Sequence, residues 1–174
     1  YVAIPKVSSE NRRYVPMEYL PKEIIPGDKL FMMQDATLYN FGILTSNVHM
    51  AWMRAVCGRL KSDYSYSNTI VYNNFPWPNP TENQKNKVEK TAQSILDARA
   101  LYPNSSLADL YNPLTMPAEL LNSHAANNKA VMEAYGFSLK MSEEDCVAEL
   151  MKLYQKMILE EKMKKSDKKS KKKQ

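Results

Sequence analysis

The sequence predicts an α+β chain, a mixed strand-and-helix N-terminal part followed by a small all-α helical bundle. Three observations lead there. Residues 1–45 hold short apolar or alternating runs broken by turn residues, the pattern of β-strands. From Thr81 onward the apolar positions recur with the helical period. Between the two lies Asn73-Asn74-Phe75-Pro76-Trp77-Pro78-Asn79-Pro80, whose prolines can neither continue a strand nor cheaply start a long helix. The domain boundary is therefore expected between residues 78 and 79.

Taken in order, Tyr1-Val2-Ala3-Ile4 reads as a strand. Lys29-Leu30-Phe31-Met32-Met33 reads as another, after the Pro26-Gly27-Asp28 turn, and Thr37-Leu38-Tyr39-Asn40-Phe41 as a third. Ser46 caps a helix whose apolar positions are Val48, Trp52, Val56 and Leu60. A polar stretch follows, and Thr69-Ile70-Val71-Tyr72 reads as a strand. In the second part, Thr81 and Gln84 form a capping box, with Val88, Ala92, Ile95 and Leu96 on one face and Pro103 as the stop. A short helix fits Leu107–Tyr111, bounded by Ser106 and Pro113. Thr115 is expected to cap the next, with Pro117 in its first turn, Leu120, Leu121, Ala125, Val131 and Met132 inward, and Gly136 as the end. Ser142 caps the last, where Glu143, Glu144 and Asp145 suit the helix dipole and Val147, Leu150, Met151, Tyr154 and Ile158 form the apolar stripe.

The chain has 174 residues, of which 44% are apolar, enough for one domain or two small ones with a real core. It begins at Tyr1 inside a strand, which is read as the cut edge of a longer protein. The net charge of +5 is unevenly spread. Residues 162–174 carry eight Lys against one Asp, while 1–78 carry a surplus of two positive charges and 79–161 a surplus of four negative ones. Residues 162–174 are expected to be a disordered, solvated Lys-rich tail, with salt-dependent attraction to phosphate as the functional alternative. The two cysteines, Cys57 and Cys146, lie far apart with no CxxC or Cys/His cluster, so neither a metal site nor a disulfide framework is expected. With no long apolar run, no membrane association is expected, and the location is expected to be cytoplasmic.

No catalytic constellation stands out. His49 and His124 are single histidines on expected helices, read as hydrogen-bonded structural residues. There is no GxSxG, Walker loop, HExxH or Gly-rich nucleotide fingerprint, and Gly totals only 4. The chain alone is expected to catalyse nothing and to hold no cofactor.

The informative stretch runs from Asn47 to Pro78. A helix ends in Arg54, Arg59 and Lys61, then comes a loop rich in aromatics and hydroxyls (Tyr64, Ser65, Tyr66, Ser67, Asn68). Cations, Ser/Asn and aromatics interleaved in this way suit phosphate anchoring and base-edge contacts, although many ordinary surfaces share the pattern. Arg54, Arg59, Tyr64, Tyr66 and Ser67 are the phosphate candidates, with Arg54 and Arg59 alternatively anchoring the helix C-terminus. Trp52, Phe75 and Trp77 are expected to be packing residues.

The strings Phe41-Gly42-Ile43-Leu44-Thr45-Ser46-Asn47-Val48-His49-Met50-Ala51-Trp52-Met53-Arg54, Gly58-Arg59-Leu60, Tyr66-Ser67 and Ile70-Val71-Tyr72-Asn73-Asn74-Phe75-Pro76-Trp77-Pro78 resemble the end of the target-recognition domain of MmeI-type enzymes. These are single-chain type IIL restriction–modification proteins that join an endonuclease, an adenine methyltransferase and a specificity domain. Leu107-Ala108-Asp109-Leu110-Tyr111, Pro113-Leu114-Thr115-Met116-Pro117, Ala130-Val131-Met132 and Ala134-Tyr135-Gly136-Phe137 resemble the same family's helical C-terminal domain. The resemblance covers nearly the whole chain except the Lys tail. It implies double-stranded DNA as partner, with an upstream methyltransferase domain of the same parent chain. That upstream domain would use S-adenosylmethionine to methylate a flipped adenine. It also implies three base-reading pairs, Lys6 with Asp28, Lys29 with Ser65, and Lys61 with Asp63. A Lys can donate to guanine O6/N7 while an Asp accepts from the cytosine amine, so one Lys–Asp pair could read both halves of a G·C pair. As a plain surface feature, Lys61 and Asp63 could equally form an exposed ion pair. A reading from another class also stands: a helical interaction module, or a specificity subunit, that docks a partner chain without binding DNA by itself.

Overall fold

The computed structural model describes residues 1–171. Two small antiparallel sheets share one bent chain segment. In the first, β1 (Val2–Pro5) is central, between β3 (Glu18–Tyr19) and β4 (Leu30–Met33). Val2 pairs with both Tyr19 and Met33, and Pro5 with Leu30. Val2, Ala3 and Ile4 are all buried, as a strand covered on both faces requires. The chain then turns at Lys6 and continues as β2 (Val7–Ser8) in the second sheet, in the order β2, β6 (Asp63–Ser65), β5 (Gly58–Leu60).

Between the sheets run α1 (Leu38–Leu44) and α2 (Asn47–Val56). The expected strand over Thr37–Phe41 is in fact the start of α1. Thr37 and Asn40 form a reciprocal capping box, with the Thr37 N–H donating to Asn40 Oδ1 at 2.9 Å. Phe41, Gly42, Ile43 and Leu44 are then buried on all sides, so no helical period is visible in the sequence. The expected strand over Thr69–Tyr72 is also a helical turn, Asn68–Tyr72, of the wide π type. Ser67 caps it through the Ile70 N–H, and Asn73 N–H donates to Asn68 O, five residues back, at 2.8 Å. The Asn74 side chain holds the Thr69 and Ile70 carbonyls at 3.1 and 3.0 Å. Ser46 caps α2 as expected, but Leu60 is not on that helix. It lies in β5 and is 57% exposed.

The second part is helical: α3 (Glu82–Ala100), the short α4 (Leu107–Leu110), α5 (Ala118–Tyr135) and α6 (Glu143–Lys171). The Thr81–Gln84 capping box and the left-handed stop at Gly136 (φ 72°) form as the sequence predicts. Thr115 does not cap α5, whose N-cap is Pro117 with no side-chain hydrogen bond. On the inward face of α5, Leu120, Val131 and Met132 are buried as expected, but other positions differ. Ala125 and Leu121 are exposed, while His124, Asn127 and Asn128 are buried because each finds a polar partner across the interface. The helix α6 continues to Lys171, well into the stretch expected to be disordered, consistent with the high helix propensity of Lys. Residues 172–174 of that stretch lie outside the described residues.

The boundary near residue 78 does not divide the core. α1 packs on α3 and α5, α3 on α5, and α2 on α6, so the buried residues of both halves form one cluster. Trp52 shows how: its ring meets Phe75 and, at 5.7 Å, Tyr154 of α6, while its Nε1 donates to Val71 O at 2.9 Å. Trp52, Phe75 and Trp77 are packing residues, as expected, with Phe75 set edge-on against Trp77 and His49.

Candidate nucleic-acid interface

Lys6 is the node of the strand-bearing surface. Its N–H donates to Lys29 O at 3.0 Å, and its carbonyl accepts from Tyr66 N–H at 2.8 Å, so one residue ties both sheets together. Its ammonium reaches the Asp28 carbonyl oxygen at 2.5 Å and lies over the Phe31 ring, 5.2 Å from the centroid. The partner it finds is thus the Asp28 backbone and not the carboxylate, which leaves the carboxylate's acceptor capacity open. Val7, the next residue, pairs with Ser65. The bent segment Lys6-Val7 therefore has Asp28 and Lys29 on one side and Ser65 on the other. Four residues drawn from three distant parts of the sequence are thus brought near one another.

Lys61 and Asp63 sit at the tip of the β5–β6 hairpin. Leu60 pairs with Asp63, leaving Lys61-Ser62 as a two-residue turn. Such turns normally use Asn-Gly or a relative, because their φ angles are positive. Here Lys61 takes φ 57°, a conformation that costs a β-carbon residue roughly 1–2 kcal/mol. Arg59 supports the turn by donating to Ser62 O at 2.8 Å. Among the described residues no salt bridge joins Lys61 to Asp63. The hairpin was not legible in the sequence, since Lys-Ser carries none of the usual turn chemistry.

The phosphate candidates have other partners. Arg54 makes a two-pronged bond to Glu143 of α6, at 2.7 and 2.8 Å, and also donates to Arg13 O. Arg59 lies over the Tyr64 ring at 4.2 Å and pairs with Glu10 at 3.3 Å. Tyr64 is 7% exposed beneath it. Tyr66 points inward, its hydroxyl 3.0 Å from His49 Nε2, and burial raises its pKa well above the ordinary phenol range. Ser67 spends its hydroxyl on Thr69 and on capping the π turn. These five residues hold the hairpin and its root in place. The cations that sequence reading passed over are Arg12 and Arg13. They lie in no motif, yet with Asn11, Tyr14, Arg54 and Tyr64 they line a polar groove of about 390 Å³.

Both histidines are structural. Burial lowers the pKa of His49 to about 3, and burial together with the Arg99 charge does the same for His124. His124 lies 2.7 Å from the Tyr111 hydroxyl and stacks on Tyr14 at 4.1 Å. Among the described residues, no cluster of three His, Cys, Asp or Glu side chains could hold a metal ion, and no helix is long and apolar enough to cross a membrane. None of the glycines lies in a strand-to-helix loop, so no glycine-rich nucleotide-cradling loop is formed among the described residues.

Known proteins match the chain over most of its length. A family model described as the MmeI target recognition domain matches residues 1–79, and one described as the MmeI C-terminal domain matches residues 80–160. DNA methyltransferase A of Bacillus subtilis (strain 168) is 42% identical over 156 residues, which are 90% of this chain and 18% of that protein. A solved structure of the type IIL restriction–modification enzyme MmeI in complex with DNA aligns with a TM-score of 0.86 at 44% identity, covering 90% of this chain and 21% of that one. The chain thus spans about a fifth of the length of the relatives it matches.

Proposed function

The chain belongs to the MmeI family, spanning its target recognition and C-terminal domains, and on that premise we propose that it reads a short sequence in double-stranded DNA for an adenine methyltransferase. The observation that carries the reading is the β5–β6 hairpin. It presents Lys61 and Asp63 at an exposed tip, with Lys61 in the left-handed conformation that the two-residue turn imposes. Lys61 with Asp63 would read one base pair in the major groove, Lys6 with Asp28 a second, and Lys29 with Ser65 a third. Each good contact contributes roughly 1–3 kcal/mol of discrimination.

The methyl donor, S-adenosylmethionine, would be bound by the methyltransferase domain of the longer protein, which also supplies the transfer chemistry. The residues present here would fix the register of the duplex so that the target adenine meets that domain. The helical part, with its negative surplus over 79–161, buttresses the reading surface from behind: Glu143 holds Arg54, and Asn128 holds Tyr14 at 2.8 Å. The test is selection of duplexes from a randomised pool by the full-length protein. Enrichment of one short motif supports the reading. Retention of random duplexes without enrichment, or no retention, would contradict it and favour a protein-docking module instead.

A further inference from the structure

The residues expected to grip phosphate are occupied elsewhere, so the question is which cations face the duplex uncompensated. Around the polar groove beside the hairpin stand four guanidiniums, of Arg12, Arg13, Arg54 and Arg59, and two carboxylates, of Glu10 and Glu143. Arg54 is bound to Glu143 and Arg59 to Glu10, which neutralises both pairs. Among the described residues, neither Arg12 nor Arg13 pairs with a carboxylate. The groove thus keeps two positive charges, and both lie on one short loop.

The strand register places that loop. Val7 pairs with Ser65 and Ser8 with Tyr64, so β2 runs antiparallel to β6 and leaves the sheet at the end where the hairpin turns. The loop that follows carries Arg12 and Arg13 alongside the tip that holds Lys61 and Asp63. The Arg59–Glu10 contact, from hairpin to loop, places the two elements side by side. The loop is also held rather than loose. Arg12 N–H donates to Ser9 O at 3.2 Å, Arg54 reaches Arg13 O, and Tyr14 is 1% exposed between His124 and Asn128. Two guanidiniums without a carboxylate partner, carried on an anchored loop beside a concave surface, offer the fork with which Arg binds phosphate oxygens.

We infer that Arg12 and Arg13 clamp the sugar–phosphate backbone of duplex DNA next to the bases that the hairpin reads. The inference rests on the DNA-recognition reading and deepens it. These residues fix position without carrying sequence information, because phosphate contacts are the same at every base pair.

The experiment uses the full-length protein and fluorescence anisotropy on two labelled duplexes, one with the selected motif and one scrambled, across a KCl series. The variants are Arg12→Gln with Arg13→Gln, the conservative Arg12→Lys with Arg13→Lys, and a charge-matched control, Lys90→Gln with Lys140→Gln. Each phosphate contact adds about 0.9 to the slope of log affinity against log salt. The Gln pair should therefore lower that slope by about 2 and weaken both duplexes alike, by roughly 50-fold at 0.1 M salt. The Lys pair should keep most of the slope, and the control pair should keep all of it. A Gln pair with wild-type slope and affinity would overturn the inference, as would a loss confined to the motif duplex. Wild-type protein that binds neither duplex would overturn the DNA-recognition reading, and with it this one.

Discussion

Replacing Gly42 by Ala tests whether the two sequence-defined halves fold as one body. Gly42 sits inside α1, where that helix crosses α3 and α5 so closely that a β-carbon would lie 2.7 Å from Val88 Cγ1 and 3.1 Å from both Ala92 Cβ and Asn127 Oδ1. Ordinary carbon contacts are about 3.5–4.0 Å, so Val88 must retreat by the better part of an ångström. Two terms compete. Ala gains roughly 1 kcal/mol over Gly inside a helix. Overpacking a well-filled core costs about 1–3 kcal/mol, and here all three crowded atoms are short side-chain atoms of other helices, Val88 and Ala92 of α3 and Asn127 of α5. The Asn127 amide, which donates to Gly42 O at 2.7 Å, would be displaced as well. The net expectation is a loss of about 1–2 kcal/mol, a fall in Tm of roughly 2–8 °C for a chain of this size. Denaturation monitored by circular dichroism and by Trp fluorescence measures it. The double substitution with Val88→Ala should be less destabilised than the sum of the singles, since the new methyl enters the space that Val88 Cγ1 leaves. An unchanged or higher Tm for Gly42→Ala, or additive effects in the double, would refute the close crossing and the shared core.

Asn127 is fully buried, donating to Gly42 O and accepting from Thr91 Oγ1 at 3.0 Å; Asn127→Leu removes the donor to the buried Gly42 carbonyl, while Thr91 keeps the Lys87 and Val88 carbonyls as partners. The expected cost is roughly 1–3 kcal/mol by urea denaturation, whereas a purely apolar role for α5 predicts a gain. His49 and His124 have folded pKa values lowered to about 3, against an unfolded 6.5. The unfolded chain binds protons that the folded one refuses. Stability is thus fully present above pH 6.5 and is lost as pH falls toward 3, at up to about 1.4 kcal/mol per pH unit for each histidine. Urea midpoints measured from pH 7 to 4 should fall steadily, and His49→Gln should flatten the decline by about half; a flat profile would show that neither ring is kept neutral by the fold.

Much of the fold is legible in the sequence wherever the chemistry is local. Thr81–Gln84, Ser46, Ser106 and Ser142 cap helices because each offers its oxygen to an N–H three residues on. Gly136 ends α5 because only glycine takes φ 72° without strain. What is not legible depends on partners far away. Thr37–Phe41 and Thr69–Tyr72 are short apolar runs, and a run of that length suits a buried helix as well as a strand. The polar face of α5 goes inward only because Gly42 O, Tyr14 and Tyr111 wait there, from positions at least 13 residues distant. For the candidate site, the six base-reading candidates follow from family resemblance, and the bent strand at Lys6 draws four of them together. The phosphate candidates were selected by residue type alone. Charge compensation, which removes Arg54 and Arg59 and leaves Arg12 and Arg13, exists only in three dimensions.

The central claim, that the hairpin tip reads a base pair, is tested most directly by changing that tip and sequencing DNA exposed to the full-length protein. DNA from cells expressing the full-length protein, wild type or carrying Lys61→Glu with Asp63→Arg, is read by single-molecule sequencing for methylated adenine. The account predicts one short motif for the wild type and the same motif with a single base pair altered for the variant. A variant that methylates the unchanged motif at the unchanged level would contradict it.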